Sequence, residues 1–298
     1  MFNTLKYYKF WFTVSGLILA FGIISLSLYG LKLGIDFRGG TLLEVRFDKP
    51  FDLNRVRQAL SQEGLKNYQL QTSENNDLLI KSEALDQNQH NAVAQALQTE
   101  VGTFKEVQYN SIGPVIGSEL KKDALYQLLL VSLGIVIYIG YAFRKVAKPV
   151  TSWRFGWSAI VALMHDLLFV LGVFSLLGHF KGVEIDSMFV TAMLTVLGFS
   201  VHDTIVVFDR IRENLRIFAG QSIEFVVNHS ISQTIVRSLN TSLTVLFVLL
   251  ALLLFGGDSI RYFVFALFIG IITGTYSSIF IASPVLVLWQ NWKTKRIS

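Results

Sequence analysis

Six long runs of apolar residues constrain this chain more than any other feature of its sequence. The hydrocarbon core of a bilayer is about 30 Å thick, and a helix needs roughly 20 apolar residues to cross it. The runs therefore predict six transmembrane helices. Their predicted bounds are Phe10–Leu31, Leu125–Phe143, Phe155–Leu177, Met188–Phe208, Ser238–Phe255 and Tyr262–Trp289. A composition of 52% hydrophobic and 16% charged residues, with a mean hydropathy of +0.50, likewise indicates a membrane protein.

The distribution of lysine and arginine predicts how these helices are oriented, because cytoplasmic loops carry an excess of both residues near the helix ends. With the N-terminus in the cytoplasm, that side holds Lys6, Lys9, Arg144, Lys145, Lys148, Arg154, Arg210, Arg212, Arg216, Arg237, Lys293, Lys295 and Arg296. The opposite short loops hold only Lys181 and Arg261. Both termini are therefore predicted to be cytoplasmic, and the net charge of +5 reflects topology and does not predict a nucleic-acid partner.

Residues 32–123 form a segment too long for a connecting loop, with the polar and apolar alternation of a folded domain. Its predicted elements are strand Thr41–Phe47, helix Asp52–Glu63, strands Tyr68–Gln71 and Leu78–Lys81, helix Asp86–Glu100 and strand Phe104–Tyr109. The order βαββαβ is that of a ferredoxin-like sandwich. The predicted fold is an α-helical membrane protein with six transmembrane helices and a small α+β extracytoplasmic domain, divided into residues 1–31, 32–123 and 124–298.

The sequence lacks the usual motifs of an enzyme. It contains no cysteine, which excludes disulfides, thiolate metal sites and cysteine nucleophiles. Patterns of the types GxxxxGK[ST], GxGxxG, HExxH and GxSxG are also missing, so nucleotide hydrolysis, dinucleotide redox chemistry, zinc proteolysis and serine esterase activity are not indicated. We predict no cofactor, no metal site and no enzymatic activity.

Two aspartates interrupt the apolar runs, where an ionisable residue costs roughly 2.5 to 3.5 kcal/mol on insertion scales. Asp166, preceded by His165, falls near the middle of the third run, and Asp203, preceded by His202, falls in the cytoplasmic half of the fourth. Such residues are candidates for proton binding. A purely structural role, in which the side chain hydrogen-bonds neighbouring helices, is equally consistent with the position of Asp166.

Arg237 lies at the start of the fifth run, and its predicted depth in the membrane matches that of Asp203. If the two residues are adjacent, they could pair and unpair as one side of the protein opens. One polar helical face carries Arg237, Asn240, Thr241 and Thr244, and another carries Thr191, Thr195, Gly198 and His202. We expect these polar stripes to face each other. Asp203, Arg237, His202 and Asp166 are therefore the predicted proton-coupling residues.

A glycine-rich stretch, Gly34-Ile-Asp-Phe-Arg-Gly-Gly40, separates the first run from the first predicted strand. Adjacent glycines permit a positive φ and close packing of the backbone. We predict a structural hinge formed by Gly34, Asp36, Gly39 and Gly40, and favour it over a ligand-binding site.

Five motifs, taken in order, resemble the protein-export membrane proteins of the SecD/SecF family. They are Gly34–Gly40, Ser111–Glu119, His165-Asp166, Asp203–Asn214 and Arg237–Ser242. The resemblance is to the SecF branch and covers essentially the whole chain, although the GxDFxGG motif alone is common to both branches. SecF proteins often have asparagine before the aspartate of the fourth span, whereas this chain has His202, which could add a second titratable group.

The resemblance implies an architecture similar to half of an RND transporter, with SecD as the other half. It implies association with the SecYEG channel, with YajC and YidC as further candidates, and contact with unfolded preprotein and membrane lipid. The implied location is the cytoplasmic (inner) membrane, with residues 32–123 in the periplasm. The implied function is to assist late preprotein translocation by using the proton-motive force, with Asp203 and Arg237 matching the residues of proton passage.

We accordingly expect protonation of Asp203 to weaken its pairing with Arg237 and to move the outer domain, so that an emerging preprotein is held against backsliding. The outer domain could bind unfolded polypeptide through an edge strand or an apolar surface, or only support SecD. Two alternatives stay open. One is a half-size RND-type exporter of lipids or small molecules, which needs a larger porter domain. The other is a structural subunit without proton coupling, in which Asp203 and Arg237 could be neutralised together with little effect.

Overall fold

The computed structural model describes residues 4–72, 76–144 and 150–297. The chain divides into two compact units, of which one is Leu33–Leu125 and the other combines Met1–Lys32 with Tyr126–Ser298. Lys145 and Lys148, which contributed to the predicted orientation, lie outside the described residues.

The larger unit is helical and the smaller unit is built around a sheet. After a 3₁₀ turn at Thr4–Tyr7, the elements in chain order are α1 (Tyr8–Tyr29), α2 (Ile35–Arg38), β1 (Gly40–Phe47), α3 (Leu53–Gln62), β2 (Tyr68–Thr72), β3 (Asp77–Ser82), α4 (Gln87–Glu100), β4 (Phe104–Ile112), α5 (Pro114–Ala142), α6 (Ser152–Lys181), α7 (Ser187–Ile217), α8 (Ile223–Phe255), α9 (Asp258–Ser277), a π-helical segment (Ser278–Ala282) and α10 (Ser283–Ile297).

Six helical stretches of the described chain are long and apolar enough to cross a membrane: α1, α5, α6, α7, α8 and the continuous stretch from α9 to α10. The predicted six spans are therefore confirmed. Several helices extend beyond their apolar runs, because a helix satisfies its own backbone hydrogen bonds in water as well as in lipid. Thus α5 begins at Pro114, where proline is tolerated in the first turn, and α8 begins at Ile223 and not at Ser238.

The six spans differ in how much of each is buried by the rest of the chain. The buried share of the apolar window is 50% in α6, 56% in α7 and 67% in the sixth span, against 17% or less in α1, α5 and α8. A helix that is apolar on all sides is suited either to a protein core or to lipid. Helices α6, α7 and α9 consequently form the inner layer of the larger unit, and the other spans line its outside.

Close backbone contact joins α1 to α6. A Cβ atom added to Gly172 would lie 2.5 Å from Cα of Gly22, and the hydroxyl of Ser25 donates a hydrogen bond to that of Ser175 at 2.8 Å. Small residues allow helices to approach closely in a membrane, where packing and hydrogen bonds drive association. This contact fixes the first span against the inner layer.

The smaller unit is a four-stranded antiparallel sheet with the strand order β2-β3-β1-β4, and helices α3 and α4 cover one of its faces. Alternate residues of β1, namely Leu43, Val45 and Phe47, are buried and form a core with side chains of both helices. Asp86 begins α4 with a capping box that includes Gln89, a sequence pattern typical of helix starts. The predicted ferredoxin-like βαββαβ order is confirmed.

The predicted hinge residues form a tight turn next to the sheet. Gly34 precedes the single helical turn α2. Gly39 and Gly40 have φ values of 77° and 146°, which residues other than glycine rarely adopt. A Cβ atom on Gly39 would lie 2.8 Å from Cα of Pro114. The glycines are thus required by backbone geometry and packing, and the role of this segment as a hinge stays a prediction.

Candidate functional site

The two predicted aspartates form two separate polar clusters within the inner helices. Asp166 on α6 is 0% exposed and Asp203 on α7 is 1% exposed. Each carboxylate accepts hydrogen bonds on one oxygen from hydroxyl groups of two other helices. We call these clusters the Asp166 node and the Asp203 node.

The Asp203 node joins α7, α8 and α9. Oδ2 of Asp203 accepts hydrogen bonds from Oγ1 of Thr275 at 3.1 Å and from Oγ of Ser242 at 3.3 Å, and these two hydroxyl oxygens lie 2.6 Å apart. Nδ1 of His202 lies 3.8 Å from Oδ1 of the same carboxylate. The His202 side chain is 64% exposed, so the node is buried on one side and close to the molecular surface on the other.

The Asp166 node joins α6, α7 and α9. Oδ2 of Asp166 accepts hydrogen bonds from Oγ of Ser200 at 2.6 Å and from Oγ of Ser277 at 2.8 Å. Oδ1 lies 3.0 Å from Nδ1 of His165. Nε2 of His165 is buried and has no hydrogen-bond partner among the described residues, and the ring also lies against that of Tyr276, with centroids 6.0 Å apart.

Hydroxyl groups can hydrogen-bond a carboxylate in both its charged and its neutral form. A hydrogen bond to a charged group contributes about 1.5–3 kcal/mol, whereas burying one ion costs several kcal/mol, so these terms are of comparable size. A hydroxyl can also serve as either donor or acceptor, and it can therefore bond either form of an aspartate.

Arg237 does not join either node. It lies on the exposed side of α8, next to Ser238 on the buried side, and within the described parts of the chain it forms no ion pair or hydrogen bond through its guanidinium. The expected pairing of Asp203 with Arg237 is therefore absent from this structure. Asp203 is bonded instead by hydroxyl donors of α8 and α9, which are those of Ser242 and Thr275.

The two predicted polar stripes lie on the outside of the larger unit. Exposed positions of these stripes are Thr191, Thr195, Gly198 and His202 on α7, and Arg237, Asn240 and Thr244 on α8, with Thr241 partly buried. Polar and charged residues inside a span are expensive to expose to lipid, and they generally face protein or water. The exposed threonines donate to backbone carbonyls of their own helices, so it is His202, Arg237 and Asn240 that make this surface unsuited to lipid.

Sequence reasoning missed the hydroxyls that serve the two carboxylates, and it missed the π-helical segment that follows them. The signal was present as the hydroxyl-rich run Thr273-Gly-Thr-Tyr-Ser-Ser278, followed by Pro284. Pro284 lacks an N–H, which disturbs the helical hydrogen bonds of the preceding turn. Oγ of Ser283 donates to the carbonyl of Ser278 at 3.1 Å and so bonds one backbone acceptor of the π segment.

Comparison with known proteins identifies the family. Residues 92–292 match the C-terminal region of the protein export membrane proteins SecD/SecF, and residues 24–51 match the SecD/SecF GG motif. The protein translocase subunit SecF of Thermobaculum terrenum is 46% identical, over 100% of this chain and 96% of its own length. The corresponding subunit of Anaerolinea thermophila is 41% identical, over 98% of this chain and 95% of its own length.

The fold is similar to that of solved SecDF structures. SecDF from Thermus thermophilus, a translocon-associated membrane protein, superposes with a TM-score of 0.82 and 34% identity over 97% of this chain. SecDF in its super-membrane-facing form gives a TM-score of 0.72 with 31% identity over 99% of this chain. The chain covers 39% and 40% of these two SecDF chains.

The fold and the two carboxylate nodes define a multi-pass membrane protein with a small α+β domain. The chain belongs to the SecD/SecF family of protein export membrane proteins, and the resemblance inferred from its motifs is confirmed.

Proposed function

We propose that the chain is an auxiliary subunit of the Sec protein translocase that, together with a SecD partner, uses the proton-motive force to assist late stages of preprotein translocation. Relatives that match it over nearly their whole length are named protein translocase subunit SecF. Each of the similar SecDF chains is more than twice as long as the region that this chain matches. The unmatched remainder is long enough to hold a SecD half.

The exposed polar surface of α7 and α8 is the observation that carries this proposal. His202 is exposed on α7 in line with Thr191 and Thr195, and Arg237 is exposed on α8, where most other outward residues are apolar. A charged side chain in such a position calls for a protein partner or water. A SecD half that packs over these stripes would remove them from lipid and would enclose the Asp203 node.

Asp203 is the residue proposed to carry the proton. It lies between the buried hydroxyls of Ser242 and Thr275 and the exposed ring of His202, so a proton can be exchanged on one side and its effect transmitted on the other. Transfer of one charge across 100 mV supplies about 2.3 kcal/mol, which is comparable to the contribution of one or two such hydrogen bonds. Protonation then alters the packing of α7, α8 and α9, and Arg237 provides a counter-charge in a state where the surface is covered.

The proposed location is the cytoplasmic (inner) membrane, with both termini in the cytoplasm and residues 32–123 in the periplasm. The excess of lysine and arginine on the proposed cytoplasmic side supports this orientation. The proposed partners, besides SecD, are the SecYEG channel with YajC and YidC, unfolded preprotein and surrounding lipid.

The test combines co-purification with one substitution. The full chain is isolated from native membranes in mild detergent and its partners are identified by mass spectrometry, while Asp203→Asn is tested for export in the presence and absence of a proton-motive force. We expect SecD to be recovered, and the variant to lose the export that depends on the proton-motive force while its protein level stays unchanged.

Asp209→Asn is the matched control, because Asp209 lies on the same helix but is exposed and pairs with Arg212 at 2.8 Å. Export at the wild-type rate by Asp203→Asn would contradict proton coupling at this residue. Recovery of an efflux adaptor in place of SecD would favour a half-size exporter instead.

A further inference from the structure

The Asp166 node is connected to the Asp203 node through two helices. Ser200, which donates to Asp166, lies three residues before Asp203 on α7, within one helical turn. Ser277, the second donor to Asp166, lies two residues after Thr275, which donates to Asp203, on α9. The groups that bind one carboxylate are therefore held by the same two helical turns as the groups around the other.

We propose that Asp166 is a positioning residue for Asp203. By holding Ser200 and Ser277 on one carboxylate oxygen, it fixes the register between α7 and α9, and thereby the distance between Asp203 and Thr275. The inference rests on the proposed function in one respect, which is that Asp203 exchanges a proton.

The local packing of α7 and α9 makes such a register sensitive to small displacements. A Cβ atom on Gly274 would lie 3.0 Å from Cβ of Ser200, so the two helices are in close contact beside the Asp166 node. Closely packed helices change between discrete arrangements more readily than they deform continuously. A shift that breaks the hydrogen bond of Ser277 with Asp166 therefore also displaces Thr275.

The π-helical segment directly follows α9, so the end of this helix is the place where a stabilising hydrogen bond has the most effect. It begins at Ser278, whose hydroxyl oxygen lies 2.8 Å from that of Thr204 on α7. A π segment is less stable than an α-helix and is frequently found at functional sites. Asp166 bonds the last residue of α9, Ser277, and so fixes the helix where the irregular segment starts.

The surroundings of the two aspartates assign them different roles. Asp166 is 0% exposed and its neighbour His165 is also buried, whereas the neighbour of Asp203, His202, is exposed. The ionisable groups carried in this region are His165 and Asp166 on α6, His202 on α7, Arg237 on α8 and Tyr276 on α9, whose hydroxyl bonds Ser15 on α1. A proton can therefore reach Asp203 from the surface by way of His202, whereas Asp166 is enclosed and its hydrogen bonds hold α7 and α9 in place.

The test reads the hydrogen bonds of Asp203 directly. The full chain with its SecD partner is studied by infrared difference spectroscopy across a pH titration, and the carboxyl C=O band of protonated Asp203 is assigned by its loss in Asp203→Asn. The frequency of a C=O stretch responds to the hydrogen bonds that the group accepts. We expect this band to shift in Ser277→Ala, in Ser200→Ala and in Asp166→Asn, although the hydroxyls of both serines bond Asp166 and not Asp203.

Ser175→Ala is the matched control, because Ser175 is buried on α6 and bonds only the hydroxyl of Ser25 within the described chain. The Asp203 band should stay unshifted in this variant.

An unshifted Asp203 band in both Ser277→Ala and Ser200→Ala would overturn the proposal while leaving proton coupling at Asp203 intact. A titrating band that disappears in Asp166→Asn would make Asp166 a proton carrier, which also overturns it. If Asp203→Asn removes no band, the proposed proton exchange at Asp203 fails and the inference fails with it. If Asp166→Asn does not fold, the serine variants alone decide the result.

Discussion

The hydroxyl of Thr275 donates a hydrogen bond to Oδ2 of Asp203 at 3.1 Å, so this buried carboxylate is bonded by hydroxyl groups, that of Ser242 included, and not by Arg237. The two side chains come from α7 and α9, which belong to the inner layer of the larger unit. Ser242 adds a donor from α8, so a change in the charge of Asp203 acts first on the contacts of α7 with α8 and α9.

Thr275→Val should reduce export that depends on the proton-motive force by about tenfold or more. The nearly isosteric side chain removes a hydrogen bond to a charged group, of about 1.5–3 kcal/mol, and the contact with the hydroxyl of Ser242. The measurement is the rate of export with and without a proton gradient. Thr273→Val is the control, since the hydroxyl of Thr273 bonds only backbone carbonyls of its own helix within the described chain. Equal rates for the two variants would contradict a specific role for Thr275.

Arg237→Gln should weaken the association with SecD, because it removes the charge from the exposed polar stripe of α8. We expect the amount of co-purified SecD to fall by about tenfold, equivalent to about 1.4 kcal/mol. Arg210→Gln serves for comparison, since Arg210 pairs with Glu213 at 2.8 Å on the exposed end of α7. An equal loss of SecD in both variants would indicate a general effect of cationic charge.

The spans and the small domain could be predicted from the sequence because their patterns are local. Runs of about 20 apolar residues specify transmembrane helices without reference to the rest of the chain. The alternation of Leu43, Val45 and Phe47, and the capping residues Asp52 and Asp86, indicate strand and helix starts in the same way. Each of these features is decided within one turn or a few residues.

The partners of the two aspartates could not be predicted, because they depend on how each helix is rotated against its neighbours. Depth matching placed Arg237 beside Asp203, but depth gives no rotation, and Ser238 and Ser242 take the buried side of α8 instead. Hydroxyl residues are also common throughout the spans. Only the packed structure separates Ser200, Thr275 and Ser277, which bond carboxylates, from Thr273, which bonds its own helix.

The contact between Arg46 and Asp77 predicts a pH dependence in the small domain. The Arg46 guanidinium donates two hydrogen bonds to Asp77, at 2.6 and 2.9 Å across β1 and β3, and holds the pKa of that carboxyl below its usual range. A lowered pKa in the folded state means that the stabilisation is complete above the unfolded pKa of about 3.9 and is lost as the pH falls through the folded value. Asp77→Asn should therefore reduce the stability of the strand pair at neutral pH only.

Hydrogen exchange of β1 and β3 amides in the full chain measures this effect, with variant and wild type compared at each pH so that intrinsic exchange rates cancel. The difference in protection should be largest above about pH 4 and should shrink in more acidic solution. Asp48→Asn, in the turn after β1, is the control. A difference that persists unchanged in acid would show that the substitution acts through packing and not through the ion pair.

Gly172→Ala should separate α1 from α6, because the added Cβ would lie 2.5 Å from Cα of Gly22 and backbone atoms cannot move aside as a flexible side chain can. Overpacking of this kind costs about 1–3 kcal/mol, which reversible unfolding of the full chain in mild detergent would detect. Gly134→Ala on α5 is the matched control, since nothing lies within 4 Å of its added Cβ and alanine favours a helix interior over glycine by about 0.5–1 kcal/mol. The two substitutions should therefore change stability in opposite directions. A loss of stability in both would mean that the effect comes from glycine replacement in general and not from the contact between Gly22 and Gly172.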